Sequence, residues 1–221
     1  MRAWAIWMAA SIVGTAQFGC GSSDSGGGGN ATCSAFTDCG GVIEGTWTIS
    51  GVCPEGDLAQ EMFQESKLPA ACADLYQSAT VSASGTDTFA GGTETANVTI
   101  VTSAKVHMTA ACVSAQAGGS TVLLSQPICD LLGTQLVPTD TTGISTTTAT
   151  CKLAGAACDC DLVNTAHITQ PGTYTTAGNI LTDTTDPQKP TTQEYCVSGT
   201  TLRVRDTRVG GPVAMQFTAH K

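Results

Sequence analysis

A short alternating stretch near residue 47 gives the clearest strand signal in the chain. Across residues 39–53, Ile43, Trp47 and Ile49 fall on one face of an extended backbone, and mainly polar residues fall on the other. Alternation with a period of two is typical of a strand buried on one side. We therefore predict a first β-strand here, with Trp47 as the largest side chain of the core.

The longest alternating stretch runs from Glu94 to Cys112. Val98, Val106 and Met108 share one phase with several alanines, while Thr, Lys and His residues occupy the other phase. This pattern predicts one long strand, or two strands joined near its middle.

A repeated pattern, Tyr-x3-Gly-x2-Leu, occurs twice in the last fifty residues. The copies begin at Tyr174 and Tyr195, and each places a glycine (Gly178 and Gly199) where a hairpin would turn. We predict two consecutive hairpins, which supply at least four antiparallel strands, and a final strand through Phe217.

Helix signals are few. Asp57 is placed to cap a helix over residues 58–68. Pro127 near the start and Gly133 past the end predict a second, shorter helix of one or two turns. The threonine-rich stretch 139–150 has little to bury and fits either an exposed strand or a loop.

Composition supports a β-rich fold. Threonine occupies 36 of the 221 positions, and only 12% of residues are charged. Because β-branched threonine favours strands over helices, we predict an all-β protein with one or two short helices.

The charge pattern argues against nucleic acid as a partner. The formal net charge is −9, and no run of lysine or arginine occurs. A phosphate backbone would require a basic patch. The acidic residues are scattered along the chain, so we expect them to form a solvated surface.

The cysteine count indicates an oxidising compartment. The chain has 11 cysteines, spread along its length instead of gathered in metal-binding pairs. We predict that ten of them form disulfides: Cys33, Cys39, Cys53, Cys72, Cys112, Cys129, Cys151, Cys158, Cys160 and Cys196. The odd one is Cys20.

The N-terminal sequence explains the odd cysteine. Residues 1–19 begin with a charged residue, continue through an apolar run too short to span a bilayer, and end in a glycine before Cys20. We predict a lipoprotein signal peptide over 1–19, a lipidated Cys20 with a Gly/Ser tether over 20–32, and a disulfide-stabilised domain over 33–221. Gly21 after the cysteine favours the outer membrane. The alternative is cleavage after Ala16, which would release a soluble periplasmic or extracellular protein.

Sequence proximity suggests two of the disulfides. We predict a Cys53–Cys72 bridge closing the first helix and a Cys112–Cys129 bridge pinning the second. Many other pairings of ten cysteines remain open.

A second possibility for the cysteines is a metal site. Cys151, Cys158, Cys160 and His167 supply the ligand types of a tetrahedral zinc centre. Their spacing lacks the usual two-residue gaps, so we favour disulfides to separate partners. Cys158 and Cys160 are too close in sequence for an unstrained bridge to each other.

Two acidic pairs have ligand chemistry for calcium. They are Asp183 with Asp186, and Asp159 with Asp161. Neither has the graded spacing of a calcium loop, so we predict turn-forming acids and no metal.

No catalytic motif is present. His107, His167 and His220 each fall on the polar phase of a predicted strand, and no nucleophile and base are paired by spacing. We predict that the protein is not an enzyme and requires no cofactor.

Several motifs together resemble a known group of proteins. They are Cys39-Gly40-Gly41-x3-Gly45-Thr46-Trp47, Cys158-x-Cys160, Gly172-Thr173-Tyr174 and Glu194-Tyr195-Cys196-Val197-Ser198-Gly199-x2-Leu202. The chain is similar over most of residues 33–221 to secreted or lipid-anchored proteins of myxobacteria and related soil bacteria, which are described as lipocalin-like. The resemblance implies a small antiparallel β-barrel and brings no assigned ligand.

Two functions follow as expectations. The first is a lipid-anchored, lipocalin-like module that binds a small apolar ligand, with Trp47, Tyr174 and Tyr195 as candidate core or pocket residues. The second is a non-enzymatic interaction, structural or inhibitor-like envelope protein with a filled barrel. Its protein partner is not specified by the sequence.

Overall fold

A computed structural model describes residues 33–137, 144–185, 188, 190–206 and 214–221. The predicted signal peptide, Cys20 and tether lie outside the described residues. Within them the chain is mostly antiparallel β-sheet with a few helices and several disulfides. The antiparallel, β-rich character predicted from threonine content and alternation is therefore confirmed, but the described residues contain more helices than the one or two predicted.

The strands and helices follow one another in a simple order. The strands are β1 (Gly45–Pro54), β2 (Tyr76–Ala90), β3 (Thr93–Thr109), β4 (Ser145–Ala154), β5 (Ala157–Ala177), β6 (Ile180–Asp183), β7 (Thr191–Ser198), β8 (Thr201–Asp206) and β9 (Met215–His220). The helices are α1 (Leu58–Ser66), α2 (Ala110–Gln116) and α3 (Gln126–Gln135), with a 3-10 helix at Ala70–Cys72.

All nine of these strands belong to one sheet. Its order is β3-β2-β1-β9-β8-β7-β6-β5-β4, and β3 also pairs with β5. The pairing of β1 with the last strand, β9, brings the two ends of the described chain side by side.

The chain divides into two compact units, each with its own core. The helical unit comprises Asp57–Thr80 and Val101–Thr165. The aromatic unit comprises residues 33–56, Val81–Ile100 and Ala166–Lys221. The strands β2, β3 and β5 contribute residues to both.

The first helix of the helical unit begins as predicted. The Asp57 carboxylate accepts hydrogen bonds from the backbone N–H groups of Ala59 and Gln60, at 3.0 and 3.2 Å. These bonds satisfy amides that have no partner within the helix. The helix ends at Ser66, two residues before the predicted end, because Lys67 after it adopts a left-handed φ of 51°.

The long alternation predicted a strand up to Cys112, and here the prediction is wrong in its last residues. The strand β3 ends at Thr109, whose hydroxyl accepts from the Cys112 amide at 3.1 Å and caps α2. A helix turns every third or fourth side chain toward the same face. Cys112 is therefore buried, although the backbone there is helical and no longer extended.

The threonine-rich stretch is a strand in its described part. Ser145–Ala154 forms β4, with side chains that alternate between exposed and half-buried positions up to Cys151. Residues 138–143 lie outside the described residues. The predicted second helix is also present, as α3 with Pro127 in its first turn, but its predicted end is wrong because the helix continues through Gly133 to Gln135.

All ten predicted cysteines form disulfides. The five bridges are Cys33–Cys53, Cys39–Cys196, Cys72–Cys112, Cys129–Cys158 and Cys151–Cys160. Cys158 and Cys160 bond separate partners, as predicted.

Both specific pairings suggested by sequence proximity are wrong. Cys53 lies on β1 in the aromatic unit and bonds Cys33, while Cys72 on the 3-10 helix bonds Cys112 on α2. The 3-10 helix contacts α2 although 40 residues separate the two cysteines. Packing of secondary structure, and not distance along the chain, selects the partner.

Both predicted C-terminal hairpins are confirmed. The strands β5 and β6 pair through Ala177 and Ile180, and β7 and β8 pair through Ser198 and Thr201. Gly178 and Gly199 have φ values of 63° and 59°, which a residue with a Cβ rarely adopts.

Candidate ligand-binding site

The aromatic unit is built around Trp47. Its side chain is completely buried, and its indole Nε1 donates to the Ile43 carbonyl at 2.6 Å. The ammonium of Lys221 lies 4.4 Å from the ring centroid and donates to the Glu44 carbonyl at 2.7 Å. The predicted role of Trp47 as the largest core side chain on the first strand is therefore confirmed.

Tyr174 and Tyr195 belong to the same buried cluster as Trp47. The Tyr174 ring packs edge-on against Phe89, with ring centroids 5.1 Å apart. The Tyr195 hydroxyl donates to the Gly41 carbonyl at 2.9 Å. The structure thus brings the three predicted aromatic residues into one core, although they are distant in sequence.

Three acidic side chains are buried in this aromatic core. Asp87, Glu94 and Asp183, which we call the carboxylate cluster, are only 2%, 3% and 5% exposed. The expectation that acids form a solvated surface is wrong for these residues. Each occupies the inward-facing phase of its strand, so it is buried with its apolar neighbours.

Strand register places the carboxylate cluster among the aromatic side chains. Asp87 on β2 lies directly opposite Trp47 on β1. Asp183 on β6 lies directly opposite Tyr174 on β5. Because opposite residues of an antiparallel pair point to the same face, each carboxylate is beside an aromatic ring.

Asp87 lacks the partners that a buried carboxylate normally has. Within the described part of the chain, neither of its carboxylate oxygens accepts a hydrogen bond of normal geometry. The Glu94 carboxyl and the Thr88 backbone amide both lie near enough to lower the Asp87 pKa, which we interpret as two weak contacts. Burial has the larger effect and raises the pKa of Asp87 to about 7.

The pKa of Glu94 is raised even further than that of Asp87. Burial, together with the negative charges of Asp87 and Asp183, raises the pKa of Glu94 to about 9. Like charges in a dry site oppose ionisation, so we expect the Glu94 carboxyl to carry its proton at neutral pH.

Asp183 has one clear hydrogen-bond partner. Its carboxylate accepts from the Thr185 amide at 2.7 Å, a bond typical of a turn. The predicted turn-forming role is thus correct locally, but the side chain also lies inside the core. Its predicted companion, Asp186, lies outside the described residues.

A second charged network lies on the outward-facing side chains of β7 to β9. In it, each arginine has a partner of opposite charge or a hydrogen-bond acceptor. Arg205 contacts Glu55 at 2.7 Å and Glu194 at 3.2 Å, and Gln216 donates to Glu55 at 2.6 Å. Arg203 donates to Gln216 and to the carbonyls of residues 34 and 35. These bonds hold the segment before β1 against the sheet, which is a structural role.

The histidines make separate contacts. The Nδ1 atom of His107 lies 2.5 Å from Asp159, while His167 and His220 each contact a threonine hydroxyl. His167 and His220 are exposed, as predicted, and His107 is half-buried. No two of them come together with a nucleophile in these contacts.

The structure tests the zinc alternative and the Asp159–Asp161 pair, while the Asp183–Asp186 pair lies partly outside the described residues. The cysteines of the zinc alternative are in disulfides, as we favoured. Asp159 and Asp161 lie on β5 and pair with His107 and Lys105, so their predicted turn role is wrong. In the described residues, no group of three or more His, Cys, Asp or Glu side chains could hold a metal ion.

Comparisons with known proteins identify no relative. No family model, curated protein or solved structure matches the chain. Among the described residues, no helix has both the length and the apolar character needed to cross a membrane.

Sequence reasoning missed the carboxylate cluster, although a signal was available. Glu94 shares the phase of Ala96 and Val98, and Asp87 shares the phase of Phe89. An acid on the apolar phase of a strand breaks the alternation rule, and such breaks concentrate at functional sites.

Proposed function

We propose that this protein is an exported, lipid-anchored binding protein whose lipocalin-like antiparallel barrel takes a small ligand with an apolar body against the aromatic core. The pairing of β3 with β5, in addition to β2, supports a sheet that closes on itself. The observation that carries the proposal is the buried Asp87, which lies opposite Trp47 and whose carboxylate oxygens accept no hydrogen bond of normal geometry from the described residues.

A core that served stability alone would not contain such a group. Burying a carboxylate without compensation costs several kcal/mol, so buried polar groups are nearly always satisfied. Perturbed acids in an apolar setting are therefore indicators of a functional site.

Dye binding tests the proposal. The neutral dye Nile red should show saturable, one-to-one fluorescence enhancement with the purified chain. Ala96→Leu, which adds volume beside Glu94 on the inward face of β3, should lower the affinity for the dye at least tenfold. Ala154→Leu, at an exposed position of β4, is the matched control and should leave binding unchanged. Absence of saturable binding by the folded wild-type protein would contradict the proposal.

The lipid anchor forms the second part of the proposal. The five disulfides use ten of the eleven cysteines and leave Cys20 for acylation. Mass spectrometry of the N-terminal peptide should show an acylated Cys20, and Cys20→Ala should release the protein from the outer-membrane fraction. A mature chain beginning at Gln17 would contradict this part alone.

One observation favours the alternative, an interaction or structural protein with a filled core. Trp47 is 0% exposed and Tyr195 is 2% exposed, so both already have complete packing. Native mass spectrometry of protein purified from its own cells separates the two functions. A retained small molecule supports the binding protein, and a retained protein subunit supports the alternative.

A further inference from the structure

We propose that the ligand is a small organic cation, an ammonium group on an apolar body, and that Asp87 is the residue that binds the ammonium. This inference rests on the proposed binding function and specifies the head group of its ligand. It is carried by the position of Asp87 relative to its acidic and aromatic neighbours.

The chemistry of Asp87 identifies the missing partner. A carboxylate accepts hydrogen bonds through two oxygens, and both oxygens of Asp87 are buried without a donor of normal geometry in the described residues. A ligand that supplies donors would satisfy them, whereas a purely apolar ligand would leave them unsatisfied. A carboxylate ligand would add a further negative charge.

The neighbouring charges select a cation over a neutral donor. Asp87 and Asp183 both raise the pKa of Glu94 through their negative charges. A positive charge bound at Asp87 would offset part of this negative charge. The benefit is large because the site is buried, where charge interactions are screened less than at the surface.

A second buried acceptor lies on the same inward face. Thr191 is directly opposite Asp183 in the β6–β7 pairing. Its hydroxyl oxygen is buried and has no hydrogen-bond partner in the described part of the structure. An ammonium has three N–H donors and can serve more than one such acceptor.

The aromatic residues suit the same ligand. Trp47 lies opposite Asp87, and the Phe89–Tyr174 pair adjoins Asp183 through the β5–β6 register. The negative face of an aromatic ring attracts a cation. Trp47 already accepts Lys221 in this way, at 4.4 Å.

Lys221 does not take the place of the proposed ligand. Its ammonium donates to the Glu44 carbonyl at 2.7 Å and lies over the Trp47 ring. Within the described residues, the Asp87 oxygens accept no hydrogen bond of normal geometry although this cation is present.

The experiment compares three probes that share one tail. Calorimetric titrations of 4-phenylbutylammonium, 4-phenylbutanol and 4-phenylbutyrate into the full purified chain vary only the head group. We expect the ammonium to bind roughly ten- to a hundredfold more tightly than the alcohol, which corresponds to one charge-assisted hydrogen bond. We expect the carboxylate to bind more weakly than the alcohol.

Two variants connect the preference to the proposed residue. Asp87→Asn should remove most of the ammonium advantage and leave alcohol binding unchanged. Asp74→Asn, at an exposed position of the helical unit, is the matched control and should retain the advantage. Glu94→Gln keeps Asp87 and should retain part of the preference. It provides a second measurement if Asp87→Asn does not fold.

The outcomes distinguish this inference from the proposed function. Equal affinities for ammonium and alcohol, unchanged in Asp87→Asn, would overturn the cationic ligand while leaving an apolar binding site. Failure of all three probes and of Nile red would overturn both. A preference that persists in Asp87→Asn and Glu94→Gln would place the cation elsewhere and also overturn the inference.

Discussion

The cores of the two units are built from different kinds of side chain. The helical unit packs aliphatic side chains around Tyr76 and six half-cystines, and each of those cysteines is less than 8% exposed. The aromatic unit packs Trp47, Phe89, Tyr174 and Tyr195 together, and its two disulfides lie at half-buried or exposed positions.

The difference shows how each unit obtains its stability. Where large side chains are few, buried disulfides fill space and constrain the unfolded chain. Where aromatic side chains each bury a large area, the core gains enough free energy to retain acids that oppose folding. The carboxylate cluster therefore lies in the unit that can tolerate it.

The largest effect is expected at the centre of the aromatic unit. Trp47→Ala should lower the free energy of unfolding by about 3–5 kcal/mol, because it removes a fully buried side chain and leaves a cavity. Urea denaturation followed by circular dichroism measures this loss. Trp47→Phe, which keeps most of the volume, should cost less than half as much. A loss below about 1 kcal/mol for the alanine variant would show that the aromatic core does not control stability.

Disulfide removal compares the units directly. The double substitution Cys72→Ala with Cys112→Ala should cost about 2–5 kcal/mol, because both cysteines are buried in the helical core. Cys33→Ala with Cys53→Ala should cost less than half of that. The segment before β1 has little secondary structure and can detach locally. Thermal unfolding of the two variants tests the order, and equal losses would refute the comparison.

A glycine of the aromatic unit tests how tightly its strands pack. At Gly85, φ is +126°, and an added Cβ would lie 2.2 Å from the Asn97 carbonyl oxygen. Gly85→Ala should therefore cost about 3 kcal/mol. Gly199→Ala is the matched control, since its φ is +59° and its Cβ would meet open space. It should cost about 1 kcal/mol. Similar losses in urea denaturation would mean that conformation alone, and not the close approach, determines the cost.

The smallest effect is the dependence of stability on pH. Raised pKa values in Asp87 and Glu94 mean that the folded state holds more protons than the unfolded state from about pH 4 to about pH 9. Stability should therefore fall as pH rises through this range, by about 2 kcal/mol or more between pH 5 and pH 9. Denaturant titrations at several pH values measure the slope.

Substituting the acids sharpens this test. Glu94→Gln should flatten the pH profile and raise stability at pH 9, because it removes the group that binds the extra proton. Glu65→Gln, on the exposed face of α1, should leave the profile unchanged. A flat wild-type profile would show that the carboxylates are charged to the same extent in both states.

The sequence by itself determined the elements whose signals are local. Alternation located β1 and most of β3, the Tyr-x3-Gly-x2-Leu repeat located two hairpins, and Asp57 located the start of α1. The cysteine count predicted that ten cysteines form disulfides. Each signal depends on a few neighbouring residues, whose geometry is fixed by the backbone period or by a turn.

Tertiary structure alone decided which distant residues meet. It joined Cys72 to Cys112, brought Tyr174 and Tyr195 into the core of Trp47, and placed Glu94 near Asp87 and Asp183. Contacts of this kind depend on strand order and register, which no short stretch of sequence encodes. An acidic residue that the sequence alone places at the surface can therefore be buried in the folded protein, when the neighbouring strands of the sheet cover its side chain.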